Sequence, residues 1–102
     1  MTTTGFLTVS PTVDGSMAPE IAKAVDALEE FDVEYETTAM GTILEADDAA
    51  EIFAAAQAAH EAVDSERVGT FLKIDDKRTV DQPGDQKVQK VEEALGREAR
   101  SQ

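Results

Sequence analysis

The spacing of apolar residues changes its period along the chain, and each change marks a new structural element. Residues with high β-propensity fill Phe6 to Ser10, and residues alternate between apolar and polar from Val33 to Ala39, which predicts two strands. Between them a helical period begins at Pro19, a residue favoured in the first turn of a helix, with Ser16 or Ala18 expected near its cap. The residues that carry this period are Ile21, Ala24, Val25, Leu28 and Phe31.

A hairpin and a second helix follow. Met40-Gly41 is typical of a tight two-residue turn into a third strand, Thr42 to Glu45. Asp48, with Glu51 three residues later, predicts the capped start of a helix that runs to about Val63. The side chains expected to face inward from this helix are Ile52, Phe53, Ala56, Ala59 and Val63.

The rest of the chain predicts a strand and a shorter helix. The strand covers Arg67 to Asp75, and a charged loop, Asp76 to Gly84, comes after it. The helix has Val88, Val91 and Leu95 on one stripe and is expected to end at Gly96, before a frayed tail over 97–102.

The resulting order, β-α-β-β-α-β and then a helix, predicts an α+β fold of the ferredoxin-like type in a single domain spanning residues 1–102. Two helices would cover one face of a four-stranded antiparallel sheet, with the last helix added at the C-terminal end. The residues expected on the covered face are Leu7, Val9, Val33, Tyr35, Leu44, Val68, Leu72 and Ile74.

The other face of the sheet is expected to be open. A two-residue turn would pair Thr38 with Ile43 and Glu36 with Glu45, and cross-strand partners share a face. The open face would then carry Phe6, Thr8, Ser10, Glu36, Thr38, Ile43, Glu45, Phe71 and Lys73. An exposed patch with two phenylalanines and an isoleucine is typical of an interaction site. It could pack against the same face of another subunit, form a ligand pocket with Phe6 or Phe71 stacked on a ring, or do both.

The charge of the chain excludes some partners. Among 102 residues, 22 Asp and Glu stand against 9 Lys and Arg, for a formal net charge of −13. Such a surface repels phosphate backbones and anionic lipids, so neither nucleic acid nor a membrane is expected as a partner. The acids are either an ordinary solvated surface or an adaptation to a salt-rich cytoplasm. The absence of cysteine and of an apparent secretory signal or membrane span favours a cytoplasmic location.

The residues that carry catalytic chemistry are few. His60 is the only histidine, and at the edge of the core stripe it is expected to be a half-buried structural residue rather than a general base. No serine lies in a nucleophile motif and no glycine-rich phosphate loop occurs. The pairs Asp47-Asp48 and Asp75-Asp76 lack the oxygen spacing of a cation site. The sequence therefore predicts a binding protein, with no enzyme activity, metal site or cofactor.

Several segments resemble one family. The stretch Tyr35 to Glu45, YETTAMGTILE, closely matches the Y-x-x-T-x-M-G-T-x-x-E pattern of small thiamine-binding proteins. Further similarity lies in Ser10-Pro11, in HEAV from His60, in RVGT from Arg67 with KIDD from Lys73, and in the late helix from Lys87 to Gly96. One departure is Lys77, where the family usually has an arginine; lysine is a poor substitute if that residue makes bidentate contacts at a subunit interface.

The resemblance implies a ferredoxin-like homodimer or homotetramer, packed through its sheets, that binds thiamine or its hydroxymethylpyrimidine part. Hydroxyls such as Ser10 and Thr38 would meet the aminopyrimidine, and the thiazolium cation would meet Glu45 and an aromatic ring. The ligand-binding residues expected on this basis are Phe6, Ser10, Thr38, Ile43, Glu45 and Phe71. Glu45 could equally be a solvent-exposed strand residue. The alternative function is an oligomeric regulatory module without a thiamine site, and a weaker one is an enzyme acting on a pyrimidine precursor.

Overall fold

The computed structural model of the chain describes residues 2–78 and 84–96. Its elements, in chain order, are β1 (Thr2–Pro11), α1 (Ala18–Ala27, continued by a 3-10 turn, Leu28–Glu30), β2 (Glu34–Thr37), β3 (Thr42–Ala46), α2 (Ala49–Ala62), β4 (Val68–Lys77) and α3 (Gly84–Leu95). The strands form one antiparallel sheet in the order β2-β3-β1-β4. The predicted α+β fold, with its C-terminal helix, is confirmed.

Strand β1, which lies in the middle of the sheet, is longer than the sequence pattern predicts. β1 begins at Thr2, and all ten of its residues pair with β4, from Thr2 opposite Lys77 to Pro11 opposite Val68. The threonines before Phe6 favour extended backbone, although they offer no apolar alternation to signal a strand. Thr3 is fully buried on the helix side, and its hydroxyl donates a hydrogen bond to Asp76.

The core lies between the sheet and the two long helices. Its buried side chains are Leu7, Val9, Ala24, Leu28, Leu44, Ile52, Ala55, Ala56, Ala59 and Val63. The remaining residues predicted for the covered face, among them Tyr35 and Ile74, pack against this cluster. The predicted covered face of the sheet is therefore confirmed. Because α2 contributes mainly alanines, α1 and the sheet can approach its backbone closely.

The prediction for α2 is wrong at one residue. Phe53 was expected to face inward, but 59% of its surface is exposed, and Ala55 is buried instead. The inward stripe of α2 runs from Ile52 through Ala55, Ala56 and Ala59. Phe53 follows Ile52 by one residue, about 100° around the helix, so it points away from the core.

The helix ends largely follow the predicted signals. Asp48 caps α2 by accepting a hydrogen bond from the Glu51 amide at 3.0 Å. α1 begins at Ala18 after Met17 at its cap, and Ser16 accepts a hydrogen bond from the Ala18 amide at 3.1 Å. α3 ends at Leu95 and is followed, as predicted, by Gly96, whose φ of 74° is the left-handed conformation that glycine adopts freely. The predicted tail over 97–102, and residues 79–83 of the predicted charged loop, lie outside the described residues.

The register of the β2–β3 hairpin differs from the prediction by two residues. Thr37 pairs with Thr42, Glu36 with Ile43 and Glu34 with Glu45, so the connection spans residues 38–41 and is not a two-residue turn. Thr38 closes this longer loop: its amide donates to the Gly41 carbonyl at 2.8 Å, and its hydroxyl donates to the same oxygen at 2.8 Å. A shift of two residues leaves each strand residue on its original face, so the predicted pairs are wrong while the faces of the paired residues hold. Thr38, predicted on the open face, lies in the loop instead.

Candidate ligand site on the open sheet face

Buried residues alternate strictly with more exposed residues along β1, and this alternation defines the two faces of the sheet. Thr3, Gly5, Leu7 and Val9 are buried against the helices, and the residues between them point to the other side. Cross-strand pairing extends this division to all four strands. We call the side away from α1 and α2 the open face; its residues include Thr4, Phe6, Thr8, Ser10, Glu34, Glu36, Ile43, Glu45, Phe71, Lys73 and Asp75.

Two rows of side chains cross the middle of the open face. The first row runs Glu36–Ile43–Phe6–Lys73, with each residue paired to the next on the adjacent strand. The second row, two residues along each strand, runs Glu34–Glu45–Thr4–Asp75. Carboxylates therefore collect at the β2 and β3 side, beside the apolar pair Phe6 and Ile43.

Helix α3 lies over one end of this surface and turns it into a groove. The groove has a volume of about 1230 Å³ and is lined on one side by both rows and on the other by Lys87, Val88 and Glu92 of α3. Lys87 forms an ion pair with Asp75 on β4, and this hydrogen bond holds the pKa of the Asp75 carboxyl below its usual value. Val88 is half exposed, so α3 presents apolar surface that the rest of the described chain leaves uncovered.

A second cavity lies at the opposite end of the sheet. It has a volume of about 530 Å³ and is bounded by the end of β1, the start of α1 and the hairpin loop. Its lining combines hydroxyls and flexible apolar side chains, among them Ser10, Ser16, Thr38, Met17, Met40 and Ile21. Met40 is 80% exposed at the tip of the loop.

The structure divides the six predicted ligand-binding residues into three places. Phe6, Ile43 and Glu45 line the groove under α3. Ser10 and Thr38 line the second cavity. Phe71 lies on the open face opposite Thr8, is 57% exposed and belongs to the lining of neither space. No single described cavity therefore brings all six together.

The hydroxyl of Thr38 is fully engaged within its own loop. It donates its proton to the Gly41 carbonyl and accepts hydrogen bonds from the amides of Met40 and Gly41, both at 3.2 Å. A hydroxyl has one proton to donate and two lone pairs. In this arrangement Thr38 shapes the wall of the second cavity and has no hydrogen bond left for a ligand.

Residues that the sequence analysis did not assign to the site complete the groove. Glu34 lies opposite Glu45, where the predicted register placed Glu36, and the same alternation in β2 could have identified it. Asp75 follows Lys73 by two residues and could have been found in the same way. Lys87 and Val88 carried no such signal, because periodicity gives the face of a helix but not the surface that it covers.

His60 is more exposed than predicted. Its Nδ1 atom forms a hydrogen bond with the Thr70 hydroxyl on β4, and its side chain lies at the surface of α2, away from both cavities. This contact links α2 to the sheet, so the structural role holds while the half-buried location does not. Within residues 2–78 and 84–96, no group of acidic and histidine side chains is arranged to hold a metal ion.

Comparison with known proteins identifies the family. The sequence model of the family described as thiamine-binding protein matches residues 6–92, which include most of the sheet, both long helices and most of α3. The chain belongs to this thiamine-binding family. The UPF0045 protein of Methanothermobacter thermautotrophicus is 46% identical over 97 residues, which is 90% of this chain and 98% of that protein.

Solved structures share the fold of this member of the thiamine-binding family. Protein MJ1052 of Methanocaldococcus jannaschii superposes with a TM-score of 0.82 at 32% identity, covering 90% of this chain and 97% of that one. A Thermotoga maritima protein superposes with a TM-score of 0.76 at 21% identity, covering 89% and 99%, and at that identity the likeness concerns the fold alone. In the part of the family member described here, no helix is long and apolar enough to cross a bilayer.

Proposed function

We propose that this protein is a non-catalytic, cytoplasmic binding protein for thiamine or a related pyrimidine, acting as a carrier, buffer or sensor. We further propose that it works as a homodimer or homotetramer packed through the open face. Family membership supports the class of ligand. The Thermotoga maritima neighbour, whose assignment to thiamine biosynthesis or salvage is itself provisional, agrees with that class.

The main support for the proposal is that two carboxylates and an aromatic ring line the same groove under α3. Glu34 and Glu45 are direct cross-strand neighbours, so together they concentrate negative charge in one part of the groove, which favours a cationic ligand there. Phe6 lies in the adjacent row and lines the same groove. The thiazolium of thiamine is a permanent cation on a flat heterocycle, so it gains from the carboxylates and from the ring together.

The aminopyrimidine part of the ligand needs hydrogen-bonding groups. The Thr4 hydroxyl lies in the same row as Glu45 and lines the groove. Ser10 lies at the other end of β1, so a pyrimidine held by Ser10 would occupy the second cavity instead. We favour the groove because it places the carboxylates, the ring and a hydroxyl within one space.

The carboxylates are tested with two ligands that differ in charge. Glu34→Gln and Glu45→Gln should each weaken thiamine binding by roughly tenfold, the worth of a charge-assisted contact. Hydroxymethylpyrimidine lacks the thiazolium, so its affinity should change little. Calorimetric titration of both ligands measures this. Glu30→Gln removes the same charge from an exposed position outside the groove and serves as the control.

The proposal for this site fails if Glu34→Gln and Glu45→Gln bind thiamine as Glu30→Gln does. The proposed site is also wrong if both ligands lose affinity equally, because the carboxylates would then not be interacting with the thiazolium cation.

An oligomeric regulatory module without a thiamine site is the second candidate. It is favoured by the apolar stripe of α3, where Val88, Val91 and Leu95 are each about half exposed, at 50%, 54% and 50%. Exposed apolar stripes of this kind mark protein contacts. An assembled oligomer that binds neither thiamine nor hydroxymethylpyrimidine would favour this candidate over the first.

A further inference from the structure

The loop between β2 and β3 reaches the aromatic ring that lines the groove under α3. A β-carbon added at Gly41 would stand 2.7 Å from Phe6 Cζ, so the backbone of Gly41 lies against the tip of the Phe6 ring. Gly41 lines the second cavity, whereas Phe6 lines the groove. This contact therefore joins the walls of the two spaces, and the position of the loop decides what the ring tip packs against.

The Thr38 hydroxyl holds this loop through three main-chain groups. It donates to the Gly41 carbonyl at 2.8 Å and accepts from the amides of Met40 and Gly41, both at 3.2 Å. Two of these bonds hold Gly41 itself, one on each side of its α-carbon. Because the proton and both lone pairs of the hydroxyl are used in this way, Thr38 influences a ligand through the loop and not by direct contact.

The Phe6 ring depends on its neighbours for its position. Phe6 is half-buried on a face of the sheet that α1 and α2 do not cover. A phenylalanine side chain has a small set of staggered rotamers, and the surrounding packing selects one of them. At the ring tip the packing partner is the backbone of Gly41, which the Thr38 hydroxyl holds in place. A loop released from Thr38 would leave the ring free to turn out of the groove wall.

We propose that Thr38 is a positioning residue for the thiamine groove: its hydroxyl holds Gly41 against Phe6 and thereby keeps the aromatic ring where the thiazolium binds. This role rests on the proposed function, because the ring is part of the proposed site. The sequence analysis expected Thr38 to contact the aminopyrimidine, whereas this role concerns the thiazolium end of the ligand. Thr38 should therefore influence the affinity for thiamine more than the affinity for hydroxymethylpyrimidine.

Calorimetric titration of two variants of Thr38 tests this role. Thr38→Val removes the hydroxyl and keeps the size and branching of the side chain, so it should weaken thiamine binding by roughly fivefold, the worth of a partly exposed cation–aromatic contact. Thr38→Ser keeps the hydroxyl and should bind thiamine within about 1.5-fold of the wild type. Hydroxymethylpyrimidine has no thiazolium, so its affinity for Thr38→Val should fall by less than about twofold.

A double-mutant cycle with Phe6→Leu tests whether Thr38 acts through the ring. Leucine keeps an apolar side chain at position 6 but removes the ring, so Phe6→Leu should also weaken thiamine binding by roughly fivefold. Adding Thr38→Val to Phe6→Leu should then change the affinity by no more than about 1.5-fold. Thr70→Val is the matched control, because the Thr70 hydroxyl also makes a hydrogen bond but lies outside both cavities. It should bind thiamine as the wild type does.

A second measurement on the same variants needs no ligand. Proton NMR of the free wild-type protein should show a nuclear Overhauser effect between the tip of the Phe6 ring and the α-protons of Gly41, because the two lie close together. The effect should persist in Thr38→Ser and Thr70→Val and be weakened or lost in Thr38→Val. Unchanged amide shifts in α2 show that each variant keeps the fold.

The positioning role is overturned if Thr38→Val binds thiamine as Thr70→Val does, or if it keeps the Overhauser effect between Phe6 and Gly41. It is also overturned if Thr38→Val weakens binding as much in the Phe6→Leu background as in the wild type, a result that would indicate direct contact between Thr38 and the ligand. A wild-type protein that binds no thiamine overturns the proposed function. In that case the NMR comparison alone decides whether the Thr38 hydroxyl positions Phe6.

Discussion

Gly41 lies where the hairpin loop passes closest to β1. A β-carbon at this position would stand 2.7 Å from Phe6 Cζ, 2.8 Å from Thr8 Cγ2 and 2.9 Å from the Leu7 carbonyl oxygen. The two side chains could shift, but the carbonyl is part of the central strand and cannot move without disturbing the sheet. The loop therefore rests on the open face only because residue 41 has no side chain.

Gly41→Ala should lower the free energy of unfolding by about 2 kcal/mol, because the added methyl group must push the loop away from β1. Urea denaturation monitored by circular dichroism measures the change. Gly69→Ala is the matched control: the nearest atom to its new β-carbon is the Ser10 carbonyl oxygen at 4.0 Å, so little change is expected. Equal effects at the two positions would show that Gly41 is not in close contact with β1.

For a single residue, the sequence predicts the face of the sheet more accurately than the cross-strand partner. Alternation assigned Phe6, Ile43 and Glu45 to the open face, and the structure places them there. The cross-strand partners were wrong because they depend on loop length, which is set by the hydrogen bonds of Thr38. Met-Gly between two strands is compatible with either length, so the pattern alone could not decide.

Among the elements, the ion pair between Lys87 and Asp75 fixes α3 to the sheet. The backbone of α3 approaches no other described element along any extended length, so contacts between side chains, this ion pair among them, hold it in place. Exposed pairs of this kind are weak and are screened by salt. α3 should therefore be the first element to detach.

Asp75→Asn should speed hydrogen exchange of the α3 amides at pH 7 and leave exchange in α2 unchanged, because only α3 depends on this pair. Exchange measured by mass spectrometry or NMR reports both helices in one experiment. Asp14→Asn removes the same charge from an exposed loop and should leave α3 unaffected. If Asp75→Asn and Asp14→Asn give the same exchange in α3, another contact holds the helix.

The pH dependence of this contact follows from the lowered pKa of Asp75. Lys87 stabilises the charged carboxylate, so the contribution is fully present above the ordinary aspartate pKa of about 3.9. It is lost as the pH falls through the lower pKa of the folded state. α3 should therefore stay in place at mildly acidic pH and detach only in stronger acid.

The existence and order of the elements followed from the sequence because each has a clear period or boundary signal, such as Pro19 for α1 and Asp48 for α2. The predictions that were wrong or missing concern features set by tertiary packing. The inward face of α2 excludes Phe53 because a run of alanines packs more closely there. The position of α3 over the groove was not predicted, because no local pattern indicates that Lys87 contacts Asp75, twelve residues earlier in the chain.

For the whole molecule, charge is the dominant property. At −13 per copy, self-repulsion opposes both folding and assembly, and added salt screens it. Raising KCl from about 0.01 M to about 1 M shortens the Debye length from about 30 Å to about 3 Å. The melting temperature should rise over that range, as expected if the acidic surface is suited to a salt-rich cytoplasm.

Differential scanning calorimetry across the salt series measures this rise. Sucrose at matched osmolality is the control, because it stabilises proteins without screening charge. A melting temperature that is insensitive to KCl, or that follows sucrose and KCl equally, would remove the salt-rich interpretation and leave an ordinary solvated acidic surface.

We propose that this molecule binds thiamine or a related pyrimidine without transforming it. Isothermal titration of the wild-type protein with thiamine, followed by recovery and analysis of the ligand, tests it most directly. We predict saturable binding in the micromolar range or tighter, competition by hydroxymethylpyrimidine, and recovery of the thiamine unchanged. A folded protein that gives no saturable binding of either compound, or that returns a chemically altered ligand, would contradict the claim.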